Sequence, residues 1–261
     1  MRLATWNVNS IRTRVDRVLA FLERSGTDVL AMQETKCRDE QFPDLAFEAA
    51  GYEVVHHGRN QWNGVAIASR VGIADVAAGF PGMPTWGDPP EAEARALGAT
   101  CGGVRVWSLY VPNGRAVGDP HYRYKLDWLA ALRAAGGAWL AADLAARIAL
   151  VGDWNIAPRD EDVWDMAAFA GATHVSEPER AAFRALEDVG FTEVTRQHVQ
   201  QYTYWDYKQL RFPRNEGMRI DFVHASPELA AHVVGAQIYR DERKGKAASD
   251  HVPVLVEVAS P

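Results

Sequence analysis

The sequence predicts an α/β fold, with β-sheets at the centre and helices outside them. Short apolar runs of strand length recur along the chain and end abruptly in polar residues. Amphipathic stretches of helical period lie among them without strict alternation. The polar strand ends fall into clusters far apart in sequence: Asn7 to Glu34, Asp153 with Asn155, and Asp221 to His251. A sheet-centred fold would deliver all of them to one rim.

The stretch Ile148-Ala149-Leu150-Val151-Gly152-Asp153-Trp154-Asn155 organises this reading. Its four apolar residues read as a buried strand that Gly152 breaks. Asp153 and Asn155 follow at a spacing of two, which in extended chain puts both side chains on one side.

In chain order, residues 3–9 read as a strand. Residues 14–25 read as a helix with Val15, Val18, Leu19 and Leu22 as its apolar stripe and Gly26 as its stop. A strand at 29–33 leads to Glu34. A helix is expected at 39–50, closed by Gly51, then a hairpin of 52–57 with 65–69. Four prolines mark 79–91 as a surface loop. Strands at 94–101 and 104–111 pair around Gly102-Gly103. The long helical stretch 122–146 is weakened at Gly136-Gly137, as two helices or one bent one. A helix at 178–188 and strands at 220–224, 233–239 and 254–258 finish the chain.

The 261 residues are 48% hydrophobic and 24% charged, an ordinary globular composition. No Pro/Gly/Ser-rich linker or repeat divides them, so one domain over 1–261 is expected. No apolar run nears the roughly 20 residues of a membrane span, and the N-terminus meets polar residues too early for a secretory signal. Cys37 and Cys101 form no disulfide framework. These features read as a cytoplasmic, reduced protein with no membrane partner. The net charge of −6 argues against a non-specific nucleic-acid coat. It leaves room for a nucleic-acid enzyme with local basic patches.

Glu34 and Asp250 are hard oxygen donors suited to Mg²⁺ or Mn²⁺, and no zinc-type Cys/His spacing occurs. Asp221 can orient the ring of His251 and favour its imidazolium, which then stabilises charge on a phosphoryl oxygen. Asp153 is the candidate acid or base, Asn7 and Asn155 are candidate positioners, and Tyr110 is a donor. Each alone has an ordinary reading, such as turn chemistry for an Asp before a loop. Their joint occurrence, in one order, carries the weight.

That order resembles the exonuclease III family of abasic-site DNA-repair nucleases, within the endonuclease/exonuclease/phosphatase superfamily. The matching motifs are Thr5-Trp6-Asn7-Val8-Asn9-Ser10-Ile11-Arg12, Gln33-Glu34-Thr35-Lys36, Trp62-Asn63-Gly64-Val65-Ala66-Ile67, Tyr110-Val111-Pro112-Asn113-Gly114, Gly152-Asp153-Trp154-Asn155-Ile156-Ala157-Pro158, Arg219-Ile220-Asp221 and Ser249-Asp250-His251-Val252-Pro253-Val254. The resemblance implies a four-layer α/β sandwich, two packed mixed sheets flanked by helices. It implies a Mg²⁺-dependent phosphodiester hydrolase (Mn²⁺ as an alternative ion) of base-excision repair. Expected activities are cleavage 5′ to abasic sites, 3′→5′ exonuclease and 3′-end cleaning. The expected partner is double-stranded DNA with abasic sites or blocked or recessed 3′ ends, met by a monomer at the nucleoid.

Carried over by motif, Glu34 binds the metal with Asp250 and Asn7 nearby. Asp153 activates water or protonates the leaving oxygen. Asn7 and Asn155 position Asp153 and the phosphate, Asp221 and His251 bind the phosphate, and Tyr110 contacts it. Tyr204, Trp205, Met218 and Ile220 would wall the pocket for a flipped-out abasic sugar. Lys208, Arg211 and Arg214, with Arg243, Lys244 and Lys246, would hold flanking phosphates. Arg115 and Arg123, with His121, would reach over the duplex from the other side. The alternatives are a superfamily phosphatase acting on a lipid or inositol phosphate, or an inactive DNA-binding scaffold.

Overall fold

In the computed structural model, which describes residues 1–259, the apolar runs become β1 (Arg2–Asn7), β2 (Val29–Gln33), β3 (Glu53–His57), β4 (Val65–Ser69), β5 (Ala74–Ala78), β6 (Ala96–Cys101), β7 (Val104–Tyr110), β8 (Ile148–Asp153), β9 (Thr192–Glu193), β10 (Asp221–Ala225), β11 (Val233–Ile238) and β12 (Val254–Val258). They form two mixed six-stranded sheets, ordered β11-β12-β1-β2-β4-β3 and β5-β6-β7-β8-β10-β9. Helices α1 (Val15–Ser25) and α2 (Asp44–Ala49) cover the first sheet, while α3 (Pro120–Ala142) and α4 (Glu177–Arg184) cover the second. A short α5 (Pro227–Ala230) follows β10. The expected four-layer sandwich is what forms.

Strand alternation assigns each side chain to a layer. Leu3, Val29, Ala31 and Ile67 of the first sheet meet Val106, Ala149, Val151 and Val223 of the second. The opposite parity, Ala4, Trp6, Leu30 and Met32, packs on Phe21 and Leu22 of α1, and Leu150, Trp154 and Phe222 pack with Trp128 and Leu132 of α3. Five inward-facing rows therefore end at one rim in Asn7, Gln33, Tyr110, Asp153 and Asp221. The registers Asn7↔Gln33, Tyr110↔Asp153 and Asp221↔Asp153 set them side by side. Beneath them Gln33 donates to Thr5 and Ser108, bolting the two sheets together.

Some local expectations need correction. Gly152 does not break β8 but lies within it, at a point where a Cβ would stand 1.8 Å from the Leu109 carbonyl oxygen. Only glycine lets β7 come so close. Pro43 splits the expected 39–50 helix into a turn of 3₁₀ helix and α2. Helix α3 runs unbroken through Gly136-Gly137, where the missing Cβ lets the ring of Phe191 lie against the helix. Among the described residues, no helix is long and apolar enough to cross a membrane.

His224, on the outward face of β10, is fully buried between the rings of Trp154 and Phe183, and among the described residues neither of its nitrogens has a partner. Burial alone drops its pKa to about 3. Its folded pKa lies below the unfolded value, so the neutral ring costs nothing above about pH 6.5, and stability falls as pH drops from there towards 3. At pH 5 the penalty is about 2 kcal/mol. Urea unfolding of His224→Leu should therefore lose less stability between pH 8 and pH 5 than the wild type; equal losses would refute the assignment.

Candidate active site

The rim is built from strand ends and from loops in unusual backbone conformations. Asn9, Glu34, Lys36 and Asn155 all have positive φ, between 43° and 53°. Asparagine adopts this geometry readily, but Glu34 and Lys36 hold it at a cost that surrounding contacts must meet.

Asn7 is the central connector. Its Nδ2 donates to Glu34 Oε1 at 2.7 Å and to Asp153 Oδ2 at 3.0 Å, while its oxygen accepts the Asn9 amide at 3.0 Å. It thus joins the site as a donor between two carboxylates. Asn7 was expected beside the metal; its amide nitrogen faces the two carboxylates, and its oxygen faces the Asn9 N–H. His251 Nδ1 lies 2.9 Å from Asp221 Oδ2, and its Nε2 lies 3.6 Å from Asp153 Oδ2. Burial disfavours the imidazolium, but the charges of Asp221 and Asp153 outweigh it and raise the pKa to about 10. Burial raises Asp153 to about 7; His251 opposes this, and Asp221 and Glu34 add to it. Burial also works against ionised Glu34, yet Lys36, Asn7 and His251 together hold its carboxyl below the usual range. Tyr110, beneath the Arg95 guanidinium, is pushed well above 10 by burial and then by Glu34, so it stays a proton donor.

Ligand atoms of Glu34, Asp153 and His251 lie within 4.8 Å of one another. Two of these suit a hard divalent cation, an ionised, rim-facing Glu34 and the Asp153 carboxylate that shares the Asn7 amide, whereas His251, held as the imidazolium, offers no lone pair. The Lys36 ammonium stands 2.7 Å from Glu34, a sign that positive charge is favoured there. Asp250 lies outside this group. Its Oδ1 accepts from Asn9 Nδ2 at 3.0 Å, and Asn9 Oδ1 in turn accepts from Lys36.

Asn155 departs from the expected arrangement. Its positive φ turns its carboxamide away from Asp153, to the Val111 carbonyl at 3.0 Å and to Asn113 at 3.2 Å. What reaches Asp153 is its backbone N–H, 2.9 Å from Oδ1. His174 Nε2 sits 3.2 Å from both Asn113 Nδ2 and Asn155 Oδ1, and nothing in the sequence around it marks it as part of the site. Lys36 was legible only as the last letter of Gln-Glu-Thr-Lys.

Tyr204 faces the site, its ring 4.9 Å from that of His251, and it bridges to Met218 and His251. Met218 and Ile220 lie beneath it with Val163. Trp205 is corrected from pocket wall to core. It is 0% exposed and packs with Ile238, Val252, Val254 and Phe212. The physical reason is alternation: with Tyr204 paired in extended chain and facing the site, its neighbour must face inward. Trp205→Ala should cost about 3–5 kcal/mol in urea unfolding. A stable variant with altered substrate choice would contradict this.

The basic residues are more engaged than expected. Arg211 is 2.5 Å from Glu216 and stacks over Trp164, and Arg214 is 3.9 Å from the same Glu216. Lys208 is exposed nearby. Arg243 lies over Tyr207, and Lys244 pairs with Asp241. Arg115 faces Trp86 at the rim, whereas Arg123 pairs with Asp127 one turn along α3.

Known proteins share this fold. A model of the endonuclease/exonuclease/phosphatase family matches residues 4–251. Exodeoxyribonuclease III of Haemophilus influenzae is 29% identical, over 98% of this chain and 99% of its own. NExo, solved as a 3′ phosphatase from Neisseria bound to product DNA hairpin, superposes with a TM-score of 0.93 at 35% identity over 100% of both chains. It has also been solved as a 3′-5′ exonuclease from Neisseria meningitidis, with a TM-score of 0.92 at 36% identity over 99% of both. An AP endonuclease from Archaeoglobus fulgidus superposes with a TM-score of 0.91 at 32% identity over 100% of both. The chain therefore belongs to the endonuclease/exonuclease/phosphatase family, among the DNA-repair nucleases like exonuclease III and the AP endonucleases.

Proposed function

We propose that the protein is a Mg²⁺-dependent hydrolase of DNA phosphoesters (Mn²⁺ serving as an alternative) that acts at 3′ ends of duplex DNA, with cleavage 5′ to abasic sites as a second activity of the same site. One observation carries this reading: His251 stands between the carboxylates of Asp221 and Asp153, and Asn7 ties Asp153 to Glu34. Such a line of alternating charge suits a phosphoryl group better than a neutral substrate. The 3′-phosphatase and 3′-5′ exonuclease descriptions of NExo favour action at 3′ ends. The AP endonuclease neighbour favours the abasic reaction. One catalytic domain, working as a monomer on cytoplasmic nucleoid DNA, is the setting we infer.

Glu34 would hold the cation, with Asp250 behind Asn9 reinforcing the negative field. The cation supplies charge neutralisation at the phosphate. His251, kept charged by Asp221, donates from Nε2 to a non-bridging oxygen and stabilises the charge that builds there. The Tyr110 hydroxyl donates to the same group. Asp153, poised near neutrality, exchanges a proton with the attacking water or the leaving oxygen. The Asn7 amide and the Asn155 N–H hold its two oxygens in place. Tyr204 and Met218 wall the side where the terminal or abasic nucleotide sits.

Three end-labelled duplexes test this, with Mg²⁺, Mn²⁺ or EDTA: one with a 3′ phosphate, one with a recessed 3′ end and one with an abasic analogue. Metal-dependent phosphate release and shortening from the 3′ end are expected. Cutting of the third at the lesion measures the second activity. Folded protein that leaves all three intact while hydrolysing a soluble or lipid phosphoester would replace this reading.

A further inference from the structure

We propose that Lys125 and Glu179 are positioning residues of the hydrolytic site, a buried ion pair that holds the backbone around Asn113, Asn155 and His174 in its working geometry. This rests on the reading of the site given above. Lys125 projects from α3 and Glu179 from the first turn of α4, and both side chains are 0% exposed. An ammonium has three protons to give. Lys125 gives one to Glu179, one to the Asn155 carbonyl at 2.7 Å and one to the Asn113 carbonyl at 3.2 Å.

The two oxygens of Glu179 divide their work. Oε2 accepts from Ser176 and closes a capping box that starts α4, an ordinary structural duty. Oε1 does something else. It meets Lys125, the Thr173 hydroxyl at 2.6 Å and the His174 amide at 2.9 Å. The Thr173 hydroxyl is itself 3.1 Å from the Asn113 carbonyl. One ion pair therefore ties together the loops after β7, after β8 and before α4.

Asn155 shows why this matters. Its carbonyl is held by Lys125, its side chain by Val111 and Asn113, and its N–H by Asp153. Its φ of 51° lies in the left-handed region, which asparagine tolerates but does not hold alone, so these three contacts fix which conformation it keeps. Stability does not explain the pair, since two well-packed apolar side chains serve a core as well as a buried ion pair, or better. Geometry does.

The test compares two double variants with the wild type on whichever phosphoester the wild type hydrolyses, so failure of the DNA reading leaves this inference separately testable. Lys125→Met with Glu179→Gln removes the pair and the donors to both carbonyls, but keeps the N3 side chain of the capping box. Lys125→Gln with Glu179→Gln keeps a donor. The first should fold and lose about 10- to 100-fold in kcat with KM unchanged, the scale of a small misplacement. The second should recover most of that loss at equal Tm. Wild-type kcat in the first variant overturns the inference. So does a change confined to KM, or a loss that both variants share equally, whether or not it tracks Tm. If the first variant does not fold, Thr173→Val takes its place, removing only the hydroxyl between Glu179 and Asn113. A lowered kcat at constant KM then supports the inference, and wild-type kcat overturns it.

Discussion

Replacing Asp153 by Asn should lower kcat by about 10³- to 10⁴-fold while duplex binding in EDTA stays within a few-fold of wild type. Asparagine keeps the shape, and an oxygen for the Asn7 amide or the Asn155 N–H, but neither form of it can exchange a proton. Burial and the charges of Asp221 and Glu34 bring Asp153 to about 7 against the pull of His251, so its titration should appear in the wild-type rate. If Asp153 takes the proton from water, kcat rises with pH through this limb; if it protonates the leaving oxygen, kcat falls. A bound divalent cation favours the carboxylate and moves the limb to lower pH. The limb should vanish in the variant. A variant that retains both turnover and limb would place the proton transfer elsewhere.

Replacing His251 by Asn should cost about 10²- to 10³-fold in kcat, the scale of losing one well-aimed donor to developing charge. The amide can still donate to Asp221 but carries no charge. Because Asp221 and Asp153 raise the imidazole pKa to about 10, the wild type should show no loss of activity from His251 deprotonation near neutral pH. The sign for stability follows from a raised folded pKa. The contribution of the charged ring is fully present below about pH 6.5 and is lost as pH rises through 10. Comparing kcat and urea midpoints at pH 6 and pH 9.5 checks both statements. A His251 ring that titrates between pH 6 and 7 by NMR would show that the two carboxylates do not hold the proton.

Much of this was written plainly in the chain. Strands β2 and β4 are unbroken apolar runs with polar ends, and both were readable to the residue. The polar ends of β1, β2, β8 and β10 also foretold a shared rim. Other features were hidden for identifiable reasons. Strand β5 is a mostly exposed edge strand, Ala-Asp-Val-Ala-Ala, with neither alternation nor an apolar run. Tyr204 and Trp205 looked like one aromatic unit, but local pairing sends them to opposite sides. Spacing put the Asn155 side chain beside Asp153; the left-handed turn substituted its backbone instead. Lys125 and Glu179 look like solvent-facing helix residues in a linear reading. Only the packing of α3 against α4 shows that they face each other.

Strand β1 lies between β12 and β2, with Arg2 opposite Glu257 and the N-terminal ammonium 2.6 Å from the Val258 carbonyl. The first strand of this sequence thus pairs with the last. Until β12 emerges, the central strand of one sheet has an open edge, and Asn7 has no His251 across from it. Such sequence-distant pairing slows folding and leaves edges exposed meanwhile. The same order means that a chain ending short of His251, just before β12, lacks the partner that Asp221 and Asp153 share.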